Sequence, residues 1–285
     1  QFVAAVRAST RQRFVAVGSR SMDKAKAFAS EIGVDAAHAS YATLVADPNV
    51  QVIYVATPHS EHAGHALLAI EAGKHVLVEK AFAQNAAQAQ RVVDAARERG
   101  VAVMEAMWTR FLPRFDIVRQ LLADGVLGEL EAVIADHGQP LPPEQAPRLH
   151  DPSLAGGALL DLGVYPVSFA AFVLGIPDSV LAAGELTAAG VDRQASAMFG
   201  RFPDHPAARA LVHTTLAAKT PTTASISGRL VRIPASECSP LALAAFAAVV
   251  TVACRCAVGD TPPTTPAVLT EILACARYSG GREKV

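Results

Sequence analysis

Residues 50–81 read VQVIYVATPHSEHAGHALLAIEAGKHVLVEKA, and the order of patterns within them decides the architecture. A β-branched run, VQVIYVATP (50–58), is followed by EHAGHALLAIEAG (61–73), which has apolar residues at helical spacing and a closing glycine. A second apolar run, HVLVEKA (75–81), comes next. Strand, helix and strand within about 30 residues make a βαβ unit. Both strand runs are apolar with little alternation, so both of their faces are covered, as in a parallel sheet clothed by helices.

Outward from this unit the pattern repeats. RFVAVGS (13–19), a weaker VDAAH (34–38) and VAVMEAMW (101–108) read as strands, and SMDKAKAFASEIG (21–33) and NAAQAQRVVDAARERG (85–100) read as helices. Two of the three helices start beside Ser or Asn and all three end in glycine, as capping predicts. The fold class is therefore α/β, with a Rossmann-type doubly wound parallel sheet as the dinucleotide-binding domain over 1–128. The opening QFVAAVRAST reads as the tail of a helix. The first strand and the G-x-G-x-x-G turn that precede such a helix are expected to lie outside this sequence.

After FDIVRQLLADGVLGEL (115–130) the rhythm changes. LEAVIADHG (130–138) reads as a strand, a proline-rich loop spans 140–152, and a helix runs to about Leu174, where GIP stops it. QASAMFGRF, ARALVHTTLAA, TTASISG and RLVRIP then alternate apolar and polar residues, the mark of an antiparallel sheet with one solvated face. A second, α+β domain on a largely antiparallel sheet is expected over 129–285, its last stretch returning as helices. The run at 241–258 resembles a membrane span in length, but Arg255 and the GDTPPTTP loop behind it favour a buried core helix.

The chain has 285 residues, 51% of them hydrophobic, and a net charge of −1. That balance suits a soluble two-domain protein and argues against a nucleic-acid or membrane-surface partner. QFVAAVRASTRQRF has arginines where a secretory leader needs an apolar core. Cys238, Cys254, Cys256 and Cys275 form no C-x-x-C pair. A cytoplasmic protein with reduced thiols is the expectation.

Three strand ends carry the polar and aromatic groups. Ala56, Thr57, Pro58, His59 and His62 follow the first strand of the opening unit, Glu79 and Lys80 the second, and Trp108 and Arg110 the next. In an open parallel sheet ligands bind beyond the carboxyl ends of the strands, so these residues are expected to contact a cofactor. Ser19 and Arg20 end the 13–19 strand with Lys24 a turn later, where an acid would select NAD and an arginine pairs with the 2′-phosphate of NADP. NADP is favoured over NAD. His59, His62 and His65 are spaced by three, which rotates successive side chains apart on a helix, and no metal site is expected.

GGALLDLGVYP (156–166) places Asp161 and Tyr165 four apart in an otherwise apolar run. On a helix they share a face. Tyrosine, with a pKa near 10, serves as an acid or base at neutral pH when a cation lowers it. A lysine ammonium about 4 Å away contributes roughly 4 kcal/mol at an effective dielectric of 20, up to about three pKa units.

VIYVATPHSEHAGHALLAIEAGKHVLVEKAFA, GVLGEL and GGALLDLGVYPVSFAAFVLG, in that order and spacing, resemble the Gfo/Idh/MocA oxidoreductases, and within them the dihydrodiol dehydrogenase and sugar dehydrogenase branch. The likeness spans about residues 13–235, with a weaker echo in 241–275. It implies a catalytic group of Lys80, Asp161 and Tyr165, with glycines 156, 157 and 163 letting the helix approach the nicotinamide. It also implies hydride transfer between NADP(H) and a secondary alcohol or carbonyl of a sugar, polyol or cyclic trans-diol, by a homodimer. Trp108, Arg110, Arg148 and His150 are candidates for lining the substrate pocket. Ala81 stands where the family carries proline. The alternative is a relative that binds nucleotide or sugar without turnover.

Overall fold

The computed structural model describes residues 2–230; the end of the expected RLVRIP strand, the helix at 241–258 and all four cysteines lie outside the described residues. The chain divides into a first unit running to Phe111 and a second beginning at Leu112.

The first unit runs α1 (Phe2–Ser9), β1 (Ala16–Gly18), α2 (Met22–Glu31), β2 (Ala36–His38), α3 (Tyr41–Val45), β3 (Val52–Val55), α4 (His62–Glu71), β4 (His75–Val78), α5 (Ala86–Arg99) and β5 (Val103–Glu105). The expected caps are in place: Ser21 accepts from the Lys24 N–H and Asn85 from the Gln88 N–H. Gly33, Gly73 and Gly100 all close their helices at positive φ. All pairings are parallel, but the sheet is in two hydrogen-bonded pieces, β1-β2 and β3-β4-β5. In the Rossmann order 3-2-1-4-5-6 these correspond to 3-2 and 4-5-6, the parts on either side of its first strand. α1 packs by stacking the Phe2 ring on Tyr54 of β3, centroids 3.8 Å apart. The core lies between β3-β4-β5 and helices α4 and α5, where Ile70, Val76, Val78 and Val92 are almost fully buried. α3 and its Ser40 cap are absent from the sequence reading; five residues are too short to display a helical period.

The second unit holds α6 (Pro113–Ala123), β6 (Leu130–Gly138), a π-wound turn (Leu159–Gly163) running into α7 (Val164–Leu174), then β7 (Ser179–Leu186), β8 (Asp192–Gly200), β9 (Arg209–Thr215) and β10 (Ala224–Gly228). Strand order is β10-β6-β9-β8-β7, antiparallel except at the β6-β9 pair. The expected domain break at 128 falls earlier here. α6 sits in the second unit because its buried Phe115 meets Phe169 and Phe172 of α7 at 5.8 and 5.2 Å. One sheet face is covered by α7, burying Val133, Ala170, Leu174, Phe202 and Ala210. Each large apolar side chain so buried contributes about 1.5–3 kcal/mol. Pro152–Leu174 also has the length and hydropathy of a membrane span, yet Ala170, Val173 and Leu174 belong to this core. β7 went unread because seven of its eight residues are exposed, so its sequence carries no buried alternation.

Candidate active site

In the first unit the parallel register of β3, β4 and β5 brings their carboxyl ends to one edge. Thr57, Pro58 and a buried His59 follow β3, half-buried Glu79 and Lys80 follow β4, and Trp108 and Arg110 occupy a 3-10 turn after β5. Ala56 is exposed at the same edge. β1 ends beside them. Its Arg20 acts on the charge of His65, whose Nδ1 lies 3.0 Å from Thr57 Oγ1. Ser19 is half-buried, and Arg20 and Lys24 are exposed. The sequence-predicted cofactor residues of this unit therefore share one rim.

Two carboxylates hold that rim in shape. Glu79 accepts from the Tyr54 hydroxyl and, through Oε2, from the Lys80 backbone N–H at 3.2 Å. Glu105, which the sequence reading passed over, accepts from the Phe82 N–H at 2.9 Å. Burial pushes the Glu105 carboxyl above its ordinary 4.5, opposed by the Phe82 bond and the Arg110 charge. Its stabilising contribution is present below the ordinary glutamate value and is lost as pH rises through the raised one. The charged form thus costs stability, and the carboxyl is kept for the backbone it holds. A lone acid between Met104 and Ala106 at a strand end was the available signal. The Lys80–Ala81 peptide bond is cis.

In the second unit Asp161 is buried and pairs with Arg148 at 3.1 Å. Arg148 comes from the 3-10 turn Pro147–His150, where His150 donates to the Leu141 carbonyl at 2.8 Å. Tyr165, one turn beyond Asp161, is half-buried with its ring edge-on to His137 of β6, centroids 5.3 Å apart. The sequence expected one regular helix through both residues. Instead Leu159–Gly163 is π-wound, a wider turn of the kind often found at functional sites.

The glycines before this turn have a reason within their own unit. A Cβ on Gly157, whose φ is +114°, would fall on the Asp192 carboxylate, and one on Gly156 would lie 2.5 Å from the Leu149 carbonyl oxygen. Asp192 accepts from the Leu159 N–H at 2.6 Å, anchoring the start of the π turn. Burial pushes the Asp192 carboxyl above its ordinary 3.8, opposed by backbone N–H groups, that of Leu159 first. The side chain that needs the glycine lies far along the chain, so sequence patterns did not point to Asp192.

A profile described as "Oxidoreductase family, NAD-binding Rossmann fold" matches residues 1–107, and "GFO/IDH/MocA C-terminal domain" matches 115–232. The chain belongs to the Gfo/Idh/MocA oxidoreductase family. It is 36% identical over 233 residues to a trans-1,2-dihydrobenzene-1,2-diol dehydrogenase of Xenopus tropicalis, covering 80% of this chain and 69% of the relative. Against the enzyme of the same name from Mus musculus it is 37% identical over 222 residues, 77% of this chain. The chain spans 65% of the mouse relative and 63% of the Macaca fuscata fuscata one. Among solved structures it is similar to an NAD binding oxidoreductase from Klebsiella pneumoniae (27% identity, TM-score 0.70, 80% of this chain and 67% of that one). It is also similar to a lysine-to-alanine mutant of KijD10, a 3-ketoreductase from Actinomadura kijaniata solved with TDP-benzene and NADP (28%, TM-score 0.66, 80% and 68%).

Proposed function

We propose that the protein transfers a hydride between NADP(H) and a secondary alcohol or carbonyl of a sugar, polyol or cyclic trans-diol. The observation that carries this reading is a buried, ion-paired Asp161 one turn ahead of a half-buried Tyr165 in an apolar segment. A core helix gains nothing from either group. A bound nicotinamide would accept the substrate's C–H hydride in the oxidising direction, the chemistry that this cofactor supplies. The hydroxyl proton goes to Tyr165 Oη, and returns from it in reduction. Asp161, paired with Arg148, accepts a hydrogen bond from a substrate hydroxyl. A tyrosine doing this at neutral pH needs a cation, and Lys80 is the one the family resemblance supplies. The diol dehydrogenase and 3-ketoreductase relatives support this choice of substrate class.

The rim residues fit a phosphorylated dinucleotide. The tip of β1 carries Ser19 and Arg20 with no carboxylate before Asp23, and Lys24 lies one turn into α2. Arg20 and Lys24 would hold the 2′-phosphate, and Thr57, His59 and Glu79 line the neighbouring strand ends. Arg20→Ala is expected to weaken NADPH binding about 10- to 100-fold while leaving NADH within a few-fold, measured by cofactor fluorescence titration. Equal losses for both cofactors would remove the 2′-phosphate assignment. A screen of polyols, sugars and trans-diols with NADP⁺ tests the activity itself; cofactor binding with no turnover across the panel would favour the non-catalytic alternative.

The homodimer belongs to the same proposal. Leu181, Met198, Leu211 and Ile134 stand in register across β7, β8, β9 and β6, on the sheet face opposite α7. They are 67%, 38%, 46% and 48% exposed, a continuous apolar row that a second copy would cover. Leu211→Glu is expected to convert a dimer into a monomer in sedimentation velocity. A wild-type monomer at micromolar concentration would refute the pairing.

A further inference from the structure

His62, the first residue of α4, is 1% exposed. Its Nδ1 lies 2.6 Å from the Ala81 carbonyl oxygen and its Nε2 2.7 Å from the Thr57 carbonyl oxygen. Carbonyl oxygens only accept. A neutral imidazole carries one N–H and one lone pair, so a neutral ring here would set a lone pair against one of two carbonyls at hydrogen-bond distance. Neither tautomer avoids this, and turning the ring over would leave both carbonyls facing C–H groups. Only the imidazolium donates at both ends.

We propose that His62 carries a proton on both ring nitrogens in the resting protein and acts as a positioning residue, a cationic brace between the turn after β3 and the turn after β4, one residue from Lys80. Charge-assisted bonds are the strong class, and a brace of two such bonds holds the strand ends that the cofactor and Lys80 depend on. Titratable groups from β5, from α4 and from the turn after β3 stand around the ring. From β5, burial pushes the Glu105 carboxyl towards its neutral form, while the Phe82 N–H and the Arg110 and His62 charges draw it towards the carboxylate against Glu79. From α4 itself His65 is held towards its neutral form by burial, with the Arg20 and His62 charges adding to that effect against Glu61. The His59 ring meets His62 edge-on at 5.6 Å. Lys80 adjoins the braced Ala81. The sequence reading placed His62 among the cofactor contacts; with both nitrogens on backbone carbonyls, it reaches a cofactor through the turns it holds.

The protonation state stands apart from the proposed function, whereas the positioning role rests on it, and the experiment separates them. Long-range ¹H–¹⁵N spectra of the histidine rings are recorded on the full-length, ¹⁵N-labelled protein at pH 7, without substrate, with His62 assigned by through-bond correlation along the chain. Both nitrogens are expected to show protonated signals; one protonated and one bare nitrogen overturns the proposal. His62→Gln, whose amide donates from a single nitrogen, is expected to shift the Lys80 and Ala81 amide signals. It should also lower kcat about 10²-fold with KM changed only a few-fold, as small displacements of a catalytic group do. A variant with wild-type kcat and unmoved Lys80 and Ala81 signals overturns the positioning role. Absence of turnover in the wild type with every substrate would refute the oxidoreductase reading, while the ring spectra and amide shifts still decide the brace.

Discussion

Tyr165→Phe is expected to lower kcat about 10³-fold, within the range that a positioned proton donor or acceptor contributes. The substitution removes one hydroxyl and keeps the ring, so the edge-on packing against His137 and the course of α7 are preserved. NADPH affinity should stay within a few-fold, because Tyr165 belongs to the second unit and the residues proposed to hold the nucleotide belong to the first. The measurement is steady-state oxidation of the best alcohol from the panel, with cofactor titration alongside. Full activity in the variant would transfer the proton-handling role away from Tyr165. A parallel loss of cofactor binding would mean that the change had disturbed the fold.

Gly157→Ala is expected to destabilise the protein by about 4 kcal/mol, combining the strain of a non-glycine residue at unfavourable φ with overpacking. The added methyl would meet the Asp192 carboxylate, which is held in place by its bond from the Leu159 N–H. To make room, either the carboxylate leaves the π turn or the turn moves. In both cases Asp161 and Tyr165 shift, and kcat should fall with stability. Thermal unfolding should show a drop of roughly 10 °C for a chain of this size. Gly64 in α4 serves as control, since a Cβ there meets nothing within 4 Å. Gly64→Ala should be neutral or stabilising by about 0.5–1 kcal/mol. A loss below 1 kcal/mol at Gly157 would contradict the close-approach argument.

The parallel strands were legible because burial on both faces leaves an unbroken apolar run, and the helices between them because their caps are local chemistry. Ser21, Asn85 and Gly73 act on atoms within a few residues of themselves. β7 and α3 were not legible. β7 takes its conformation from its ladder with β8, and α3 is too short for a pattern. Asp161 and Tyr165 could be picked out as ionisable groups in apolar company, but their surroundings could not. The sequence offers Arg148 as a pocket residue rather than as the partner of Asp161, Glu105 shows there only as a lone acid at a strand end, and Asp192 and the two carbonyls around His62 carry no usable sequence signal.

By itself, then, the sequence determined the βαβ march, the change to a mainly antiparallel sheet, the family and the residue types available for proton transfer. All of these depend on periodicity and on neighbours within a turn or two, which a chain displays whether or not it is folded. Tertiary structure alone decided that the Asp161 turn is π-wound and anchored by Asp192, that glycine is required at 157, and that both nitrogens of His62 point at backbone carbonyls. Those features are distances between atoms remote along the chain, and only the packed fold sets them.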